Sequence, residues 1–482
     1  MRSRRRTAGR RRLAIAGGAL AALVALIAGA IALATSGGKS APPPLPLPGI
    51  GQPAKPGDPF AYVASRESDF VARAIAGSEH VLFTKSPGGA LATAARVAPF
   101  REIIDQATAG TNIDPSLLEA LVFVESAGRP NVIAGLDPAD ASGLTQILAS
   151  TGQSLLGMHI NLTRSRQLTG KIDTAAGQGK LGLVARLQRQ RARIDDRFDP
   201  RKALAATVRY LQIAEQHFAR PDLAVESYHM GIGNLQNVLN DYDGGKPVPY
   251  AQLYFDTAPD HHTSAYNLIS GFGDDSSLYY WRLLGAEQIM RLYRTDRAAL
   301  SRLISLQTAV DSQAYVLHPP QDVHPFANPD ALDNAYARRT ILPLPSNARA
   351  LGLSYDPGIG SMADQLHVSP ALYRGLRGPA LDLLIELAAR VRSLSGGTAP
   401  LTVTSAVSDQ RYQQLLGVSD PPAAAGWSFT IARRYVKPAQ ADAFQAMLDR
   451  LQALNVIAWQ RFPSEIEITV ASDASQVLVH GP

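Results

Sequence analysis

The chain has 482 residues, of which 46% are hydrophobic and none is cysteine. This length allows two or three domains with buried cores, and the lack of cysteine excludes disulfide bonds and thiol catalysis. Lys and Arg exceed Asp and Glu by 47 to 41, but seven arginines lie within the first twelve residues, so the near-neutral remainder lacks the concentrated basic surface of a nucleic-acid-binding protein.

The N-terminus predicts a membrane anchor. Residues 1–12 form a basic tail that we expect to stay in the cytoplasm, and residues 13–34 form a charge-free apolar run that is long enough to cross a bilayer. The alternative is a cleaved signal peptide, because Ala32-Leu33-Ala34 has the small-x-small form of a cleavage site, although the run is longer than a normal signal peptide requires. We therefore expect a single-pass protein of the cytoplasmic membrane whose main part is extracytoplasmic, in the periplasm or facing the cell wall.

The next segments predict a linker and a helical domain. Residues 35–59 are rich in proline, which predicts an extended, semi-stiff linker. Residues 60–95 predict a short helical lead-in, to which the sequence assigns no role. In residues 96–305 apolar side chains recur at spacings of three and four, which predicts a mainly α domain. Asp114-Pro115 and Asp199-Pro200 each place an N-cap residue before a proline, so we expect a helix to begin at both places.

The C-terminal part predicts a second, smaller domain. Residues 306–347 are interpreted as a linker, and residues 348–482 as an α+β module. We expect helices near Ala371–Leu394 and over Pro438–Leu454. The segments with the β-strand pattern are LTVTSAV from Leu401, GWSFTIARRY from Gly426 and EIEITVAS from Glu465.

Glu125 is the candidate catalytic residue. Val122, Leu121 and Leu118 precede it at helical spacings, so its carboxylate falls on an apolar helix face. Burial there raises the pKa of a carboxyl group, as a general acid near neutral pH requires. From this helix alone, a structural carboxylate bonded to helix-end amides is an equal alternative. Glu119 falls away from the apolar stripe, which predicts a solvated surface charge.

Three motifs follow one another along the helical region. They are Val124-Glu125-Ser126, Gly143-Leu144-Thr145-Gln146-Ile147, and AVESYHMG from Ala224 to Gly231. With them the sequence resembles the soluble-lytic-transglycosylase branch of the lysozyme-like superfamily, whose pattern is Glu-Ser on a helix, then Gly-Leu-Met-Gln, then Ala-x-Tyr-Asn-x-Gly. The resemblance covers residues 96 to about 295, less than half of the chain. It implies a lysozyme-like transglycosylase domain that acts on the glycan strands of peptidoglycan.

The resemblance also implies roles for individual residues. Glu125 is then the catalytic acid/base, and Tyr228 hydrogen-bonds its carboxylate. The residues that it assigns to substrate binding are Ser126, Gln146, Tyr228 and His229.

Two positions depart from the family pattern. Thr145 replaces the usual Met, from which we expect altered packing at most. His229 replaces the usual Asn, so it either keeps the hydrogen bond of that Asn or titrates and makes the activity sensitive to pH.

A single catalytic carboxylate fits the chemistry that the resemblance implies. Ordinary retaining and inverting glycosidases use a second Asp or Glu across the bond, and the sequence offers no convincing one. Related transglycosylases cleave the bond between MurNAc and GlcNAc with one acid/base and leave a 1,6-anhydro-muramic end. The alternatives are a goose-type muramidase, which hydrolyses the bond, and a cell-wall binding or scaffold protein that has lost catalysis.

Residues 157–197 lie between the second and third motifs and are rich in basic residues. We interpret them as a solvated helix face, with a basic wall of the substrate groove as the alternative. The basic residues are Arg164, Arg166, Lys171, Lys180, Arg186, Arg189, Arg191, Arg193 and Arg197.

The remaining motifs predict no cofactor and no metal site. His261-His262 and the scattered His217, His318 and His324 lack ligand spacing with cysteine or carboxylate. No glycine-rich phosphate loop follows a predicted strand.

The C-terminal strands weakly resemble the D-alanyl-D-alanine carboxypeptidase fold. Thr430 stands where that family has an Asp zinc ligand, and residues 421–425 contain no histidine. The resemblance therefore implies a degenerate, non-catalytic module that binds peptide stems of peptidoglycan.

Overall fold

A computed structural model describes residues 58–272 and 275–478 of the chain. The predicted cytoplasmic tail, the membrane segment 13–34 and nearly all of the proline-rich linker lie outside these residues. The described part divides into two compact units. Residues 61–316 and 449–455 form one, here called the helical unit, and residues 58–60, 317–448 and 456–478 form the other, called the sheet unit.

The helical unit contains the first fifteen α-helices of the described chain. Their bounds are α1 Glu67–Ser78, α2 His80–Thr84, α3 Ala90–Val97, α4 Arg101–Thr108, α5 Pro115–Ser126, α6 Ala149–Ser154, α7 Leu162–Gly177, α8 Leu181–Ala192, α9 Pro200–Phe218, α10 Pro221–Met230, α11 Ile232–Asp243, α12 Tyr250–Phe255, α13 Thr263–Gly271, α14 Tyr279–Thr295 and α15 Arg297–Gln307. The predicted lead-in of residues 60–95 supplies α1, α2 and most of α3.

Helix α5 lies at the centre of the helical unit. The Asp114 side chain accepts a hydrogen bond from Ser116 N at 2.7 Å, and Pro115 occupies the first turn, so this predicted helix start is confirmed. The predicted start at Asp199-Pro200 is confirmed in the same way for α9. The residues of α5 from Leu118 to Phe123 are all buried, because α4, α3 and α14 pack around the helix. A helix covered on every side has no solvated face.

This central position corrects the prediction for Glu119, which is completely buried. Its carboxylate is bonded to Arg294 of α14 and lies 3.6 Å from Nη1 of Arg101 on α4. The side of α5 that faces away from the apolar stripe therefore meets two arginines rather than water, and the charge is neutralised inside the protein.

The sheet unit is built around a five-stranded sheet in the order β2-β4-β5-β7-β6, with a separate β1-β3 pair. Strands β2 and β4 are parallel, and the other pairings of the large sheet are antiparallel. The strands are β1 Leu342–Pro343, β2 Leu353–Tyr355, β3 Gly375–Leu376, β4 Leu401–Ser405, β5 Ser428–Ala432, β6 Ile457–Arg461 and β7 Glu465–Val470. The remaining helices of the described chain are α16 Ser312–Leu317, α17 Pro329–Ala337, α18 Gly378–Ser395, α19 Gln410–Leu416, α20 Pro421–Ala424 and α21 Pro438–Ala453. Of these, α16 up to residue 316 and residues 449–453 of α21 belong to the helical unit.

The three predicted strands are confirmed as β4, β5 and β7, and the second predicted helix is confirmed as α21. The first, α18, begins at Gly378 instead of near Ala371, because a short 3-10 turn over Pro370–Tyr373 and strand β3 come before it. The fold is therefore mainly helical with a smaller α+β region, as predicted. Within residues 58–272 and 275–478, no helix has both the length and the apolar character needed to cross a bilayer.

Candidate active site

Glu125 lies in the last turn of α5 and is held by a tyrosine from α14. Tyr279 Oη donates a hydrogen bond of 2.8 Å to Oε1 of Glu125. Tyr279 is the first residue of α14, and its side chain is buried. The Glu125 side chain is half-buried, so it keeps some access to solvent at the end of the central helix. The orientation of the Glu125 carboxyl group is thus fixed, and the side chain remains accessible to solvent.

The surroundings of Glu125 raise its pKa to about 7. Desolvation by the packed protein is the larger cause, and the hydrogen bond from Tyr279 acts in the opposite direction, because it favours the ionised form. The pKa of the carboxyl group is therefore shifted towards neutral pH, where both its protonated and its ionised form are accessible. This confirms the pKa shift expected from the apolar stripe, and it is the property that a residue needs to give a proton and then take one back.

Two further rings lie beside Tyr279 and complete an aromatic stack. The His229 ring lies 5.1 Å from the Tyr279 ring at an angle of 27°, and the Tyr228 ring lies 6.4 Å from it at 17°. Burial, and next to it the Glu125 carboxylate, raise the pKa of Tyr279 well above its ordinary value. Tyr279 consequently remains a protonated donor to Glu125 throughout the neutral range.

Tyr228 does not form the hydrogen bond that was expected between it and the Glu125 carboxylate. Tyr228 Oη donates to the Thr145 carbonyl oxygen at 2.7 Å and lies 3.2 Å from the Thr207 hydroxyl. Tyr228 therefore ties the third motif to the second, and Tyr279 takes the role expected of it. Tyr279 was not among the predicted site residues, because it lies 154 residues from Glu125 and its only local signal is a place at the start of a periodic helix.

The second motif forms a closed loop in which the backbone of Ser142 and the backbone of Ile147 exchange two hydrogen bonds of 3.2 Å. Gly143 has φ of +84°, and a Cβ at this position would lie 1.9 Å from the Arg197 carbonyl oxygen, so only glycine fits. Gln146 also has a left-handed backbone, with φ of +50°. Its Nε2 donates to the carbonyl of Gly143 at 2.8 Å, which makes the side chain part of the loop.

A buried arginine, Arg197, stabilises the loop of the second motif. It is fully buried and forms an ion pair of 2.8 Å with Asp195. Its guanidinium also donates to three backbone carbonyls, those of Pro138, Asp140 and Ile147. Arg197 therefore anchors both the turn before the second motif and the last residue of the motif, Ile147.

The other basic residues of the segment 157–197 mostly behave as expected. Seven of the nine are exposed, in agreement with a solvated face, and the prediction is wrong for Arg191 and Arg197. Arg191 lies over the Phe198 ring at 3.6 Å and donates to the Thr169 hydroxyl. Helices α7 and α8 form a hairpin with its own small apolar core, in which Leu168, Ile172, Ala175 and Leu187 are buried.

The two remaining predicted site residues differ in accessibility. Ser126 is buried, and its hydroxyl donates to the Val122 carbonyl of the same helix at 3.3 Å. His229 is exposed, and its Nδ1 lies 2.9 Å from the Ser276 hydroxyl. The substrate contacts of both residues stay predictions.

A second buried carboxylate, Glu226, lies in the third motif. Its Oε2 accepts a hydrogen bond of 3.0 Å from the backbone N of Tyr280 in the first turn of α14. The first backbone N–H groups of a helix lack helical partners, so a carboxyl oxygen that accepts a hydrogen bond from one of them stabilises the end of the helix. Glu226 therefore fixes the end of α14 that carries Tyr279, and through it the direction of the Glu125 carboxyl group.

Comparison with known proteins finds a match within the helical unit. Residues 102–182 match the family model described as Transglycosylase SLT domain. The match includes Glu125 and the loop of the second motif, and it ends before the third motif. No curated protein matches the chain. The helical unit therefore carries a segment of the SLT type, which supports the resemblance to lytic transglycosylases and the lysozyme-like superfamily, whereas the carboxypeptidase resemblance of the sheet unit finds no support.

Proposed function

We propose that this protein is a peptidoglycan lytic transglycosylase, which cleaves the β-1,4 bond between MurNAc and GlcNAc with Glu125 as its acid/base. The observation that carries the proposal is a carboxyl group of raised pKa, about 7, held by Tyr279 inside a segment of the SLT type. Burial raises the pKa of Glu79 to about 7 as well, so the place of Glu125 within the segment of the SLT type is what favours it as the acid/base residue.

The reaction that we propose uses the two protonation states of Glu125 in turn. Protonated Glu125 gives its proton to the glycosidic oxygen, the bond to C1 of MurNAc breaks, and the GlcNAc-bearing fragment leaves with a new hydroxyl group. The Glu125 carboxylate then takes the proton of the 6-hydroxyl of the same MurNAc as that oxygen bonds to C1. The proton balance closes, no water is consumed, and the product has a 1,6-anhydro ring.

The other site residues position the carboxyl group and the glycan in this proposal. Tyr279 keeps the Glu125 carboxyl group pointing in one direction. Gln146 binds the glycan from its closed loop, and His229 binds it from the exposed end of the aromatic stack. Ser126 and Tyr228 act mainly by holding the end of α5 and the loop of the second motif in place.

The setting of the enzyme also belongs to the proposal. We propose that residues 13–34 anchor the chain in the cytoplasmic membrane and that the catalytic domain, residues 96–305, faces the peptidoglycan. The charge-free run after an arginine-rich tail supports this orientation. Residues 348–482 then form the smaller module, for which binding of peptide stems is the proposed role.

Analysis of the released fragments after a reaction in ¹⁸O-labelled water distinguishes the lyase from the hydrolase. We expect purified protein incubated with peptidoglycan in H₂¹⁸O to release fragments with 1,6-anhydro-muramic ends and without the heavy isotope, as mass spectrometry would measure. Reducing muramic ends that contain ¹⁸O would instead identify a muramidase. Binding to peptidoglycan with no released fragments would support the scaffold alternative.

Removal of the Tyr279 hydroxyl tests its role on Glu125. Tyr279→Phe is expected to lower kcat at least about tenfold, because a hydrogen bond to a charged group is worth about 1.5–3 kcal/mol. The bond stabilises the ionised carboxyl, so its loss raises the pKa of Glu125 further. The general acid must start protonated, and the basic limb of the pH–rate profile should therefore move to higher pH.

The matched control for this variant is Tyr280→Phe, the next residue of α14, because the Tyr280 hydroxyl makes no hydrogen bond to Glu125 in the described structure. Its profile should stay where the wild-type profile lies. A basic limb that stays in place or moves to lower pH in Tyr279→Phe would contradict the assignment.

A further inference from the structure

Three side chains of metal-ligand type converge in the turn between α12 and α13. Asp256, His261 and His262 each offer one ligand atom, and these atoms all lie within 4.8 Å of one another. His261 Nε2 lies 3.7 Å from Asp256 Oδ1, and His262 Nε2 lies 3.7 Å from Asp256 Oδ2. Both separations exceed a hydrogen bond, so the side chains converge on a common point without bonding to one another.

These separations suit a small divalent cation. Zinc binds imidazole nitrogen at about 2.0–2.1 Å and carboxylate oxygen at about 2.0–2.2 Å, so two ligands of a tetrahedral zinc ion lie about 3.3 Å apart. Side-chain movements of a few tenths of an ångström bring each 3.7 Å separation to that value, and rotation of the two histidine rings contracts the whole set from within 4.8 Å. The His261 side chain is largely exposed and the His262 side chain is partly exposed, so an ion can enter from solvent and both rings have room to adjust.

The local backbone brings the two rings to the carboxylate. Ala258 and His261 exchange two backbone hydrogen bonds of 2.8 and 3.1 Å, which close a tight turn. His262 follows with φ of +49°, a left-handed conformation that is uncommon for a non-glycine residue. This change of chain direction brings the His262 ring back towards Asp256. Two consecutive histidine rings therefore face the same carboxylate.

A hydrogen-bonded pair behind Asp256 fixes the orientation of the carboxylate. Tyr242 Oη of α11 donates to Asp256 Oδ2 at 2.7 Å, and Gln252 Nε2 of α12 donates to Tyr242 Oη at 2.9 Å. The Tyr242 ring also lies 4.3 Å from the His262 ring. Outer hydrogen bonds of this kind orient the ligands of protein metal sites and increase their affinity.

We propose that Asp256, His261 and His262 bind a divalent transition-metal ion of the zinc type, which joins the two ends of the turn of residues 256–262. Two imidazoles and one carboxylate form a donor set that zinc accepts, and nitrogen donors disfavour calcium and magnesium. Three protein ligands leave a fourth position for water. The three ligands lie outside α5 and α14, which carry Glu125 and Tyr279. The metal-site proposal can therefore be tested independently of the proposed reaction.

No metal site was expected here, because no carboxylate was recognised at a ligand spacing from the histidine pair. The structure places one beside the pair. Asp256 lies five residues before His261, and the tight turn brings the two together.

Zinc binding by the intact, metal-stripped protein tests the proposal, with any affinity tag removed. Isothermal titration calorimetry with Zn²⁺ should show one equivalent bound with micromolar or tighter affinity, and saturating Zn²⁺ should raise the thermal unfolding midpoint by several degrees. His261→Gln, His262→Gln and Asp256→Asn should each weaken binding by about tenfold or more, and Tyr242→Phe should weaken it by about tenfold.

The matched control is His159→Gln, because His159 is exposed in the same unit and lies outside the cluster. Its affinity should equal that of the wild type. The His261→Gln variant should melt with the wild type in the presence of a chelator, which separates lost binding from lost folding. Absence of saturable binding below about 100 μM Zn²⁺, or unchanged affinity in the His261→Gln and His262→Gln variants, would overturn the proposal.

Discussion

Glu125→Gln is expected to lower the rate of peptidoglycan solubilisation at pH 7 by about 10³-fold, since positioned general acid–base catalysis contributes about 10²–10⁴-fold. The amide has nearly the size of the carboxyl group and can still accept the hydrogen bond from Tyr279. It can neither give a proton to the leaving oxygen nor take one from the 6-hydroxyl. The initial rate of dye release from labelled peptidoglycan measures the loss.

A matched control shows whether the loss of rate is specific to Glu125 or follows from replacing any glutamate of the unit by glutamine. Glu102→Gln makes the same chemical change on the exposed surface of α4 and should keep the wild-type rate. Thermal unfolding of Glu125→Gln should occur at or above the wild-type midpoint at pH 8. The reason is that ionised Glu125, whose pKa is raised to about 7, destabilises the fold as the pH rises from its ordinary pKa through that value. A Glu125→Gln variant with more than a tenth of the wild-type rate would contradict its assignment as acid/base.

Arg197→Met is expected to lower the free energy of unfolding by about 3–5 kcal/mol, which is the usual cost of removing one partner of a buried ion pair. Asp195 would keep its hydrogen bond from Ser165 but would lose its counter-charge. The Pro138 carbonyl would also lose its hydrogen bond from Arg197, and the Ile147 carbonyl would keep only the one from Ser142 N. Urea denaturation followed by circular dichroism measures the change.

The same segment supplies the control for this variant. Arg193→Met removes an exposed arginine and should change the free energy of unfolding by no more than about 0.5 kcal/mol. The double variant Asp195→Asn/Arg197→Met should recover part of the loss, because it removes the unpaired buried charge. A loss below about 1 kcal/mol in Arg197→Met would show that the loop of the second motif does not depend on this cation.

Local patterns were sufficient to predict much of the architecture. The Asp-Pro pairs mark the first turns of α5 and α9, and alternating apolar residues mark β4, β5 and β7. The position of Glu125 in its apolar stripe was enough to predict the direction of its pKa shift. Each of these features depends on neighbours within a few residues in sequence, where helical and strand periodicity act.

The errors arose where distant segments meet. Glu119 was expected to be solvated because periodicity assumes one wet helix face, and α5 has none. Arg191 and Arg197 were grouped with exposed arginines because charge alone does not reveal a buried acceptor. The partner of Glu125 was assigned to Tyr228 by the motif, although only the packing of α14 against α5 could identify Tyr279.

The most direct test of the central claim is a mass-spectrometric comparison of the fragments that the wild-type protein and the Glu125→Gln variant release from purified peptidoglycan. We predict fragments with 1,6-anhydro-muramic ends from the wild type and none from the variant. Equal release by both proteins, or no release by a folded wild-type protein, would contradict the claim that Glu125 cleaves glycan strands.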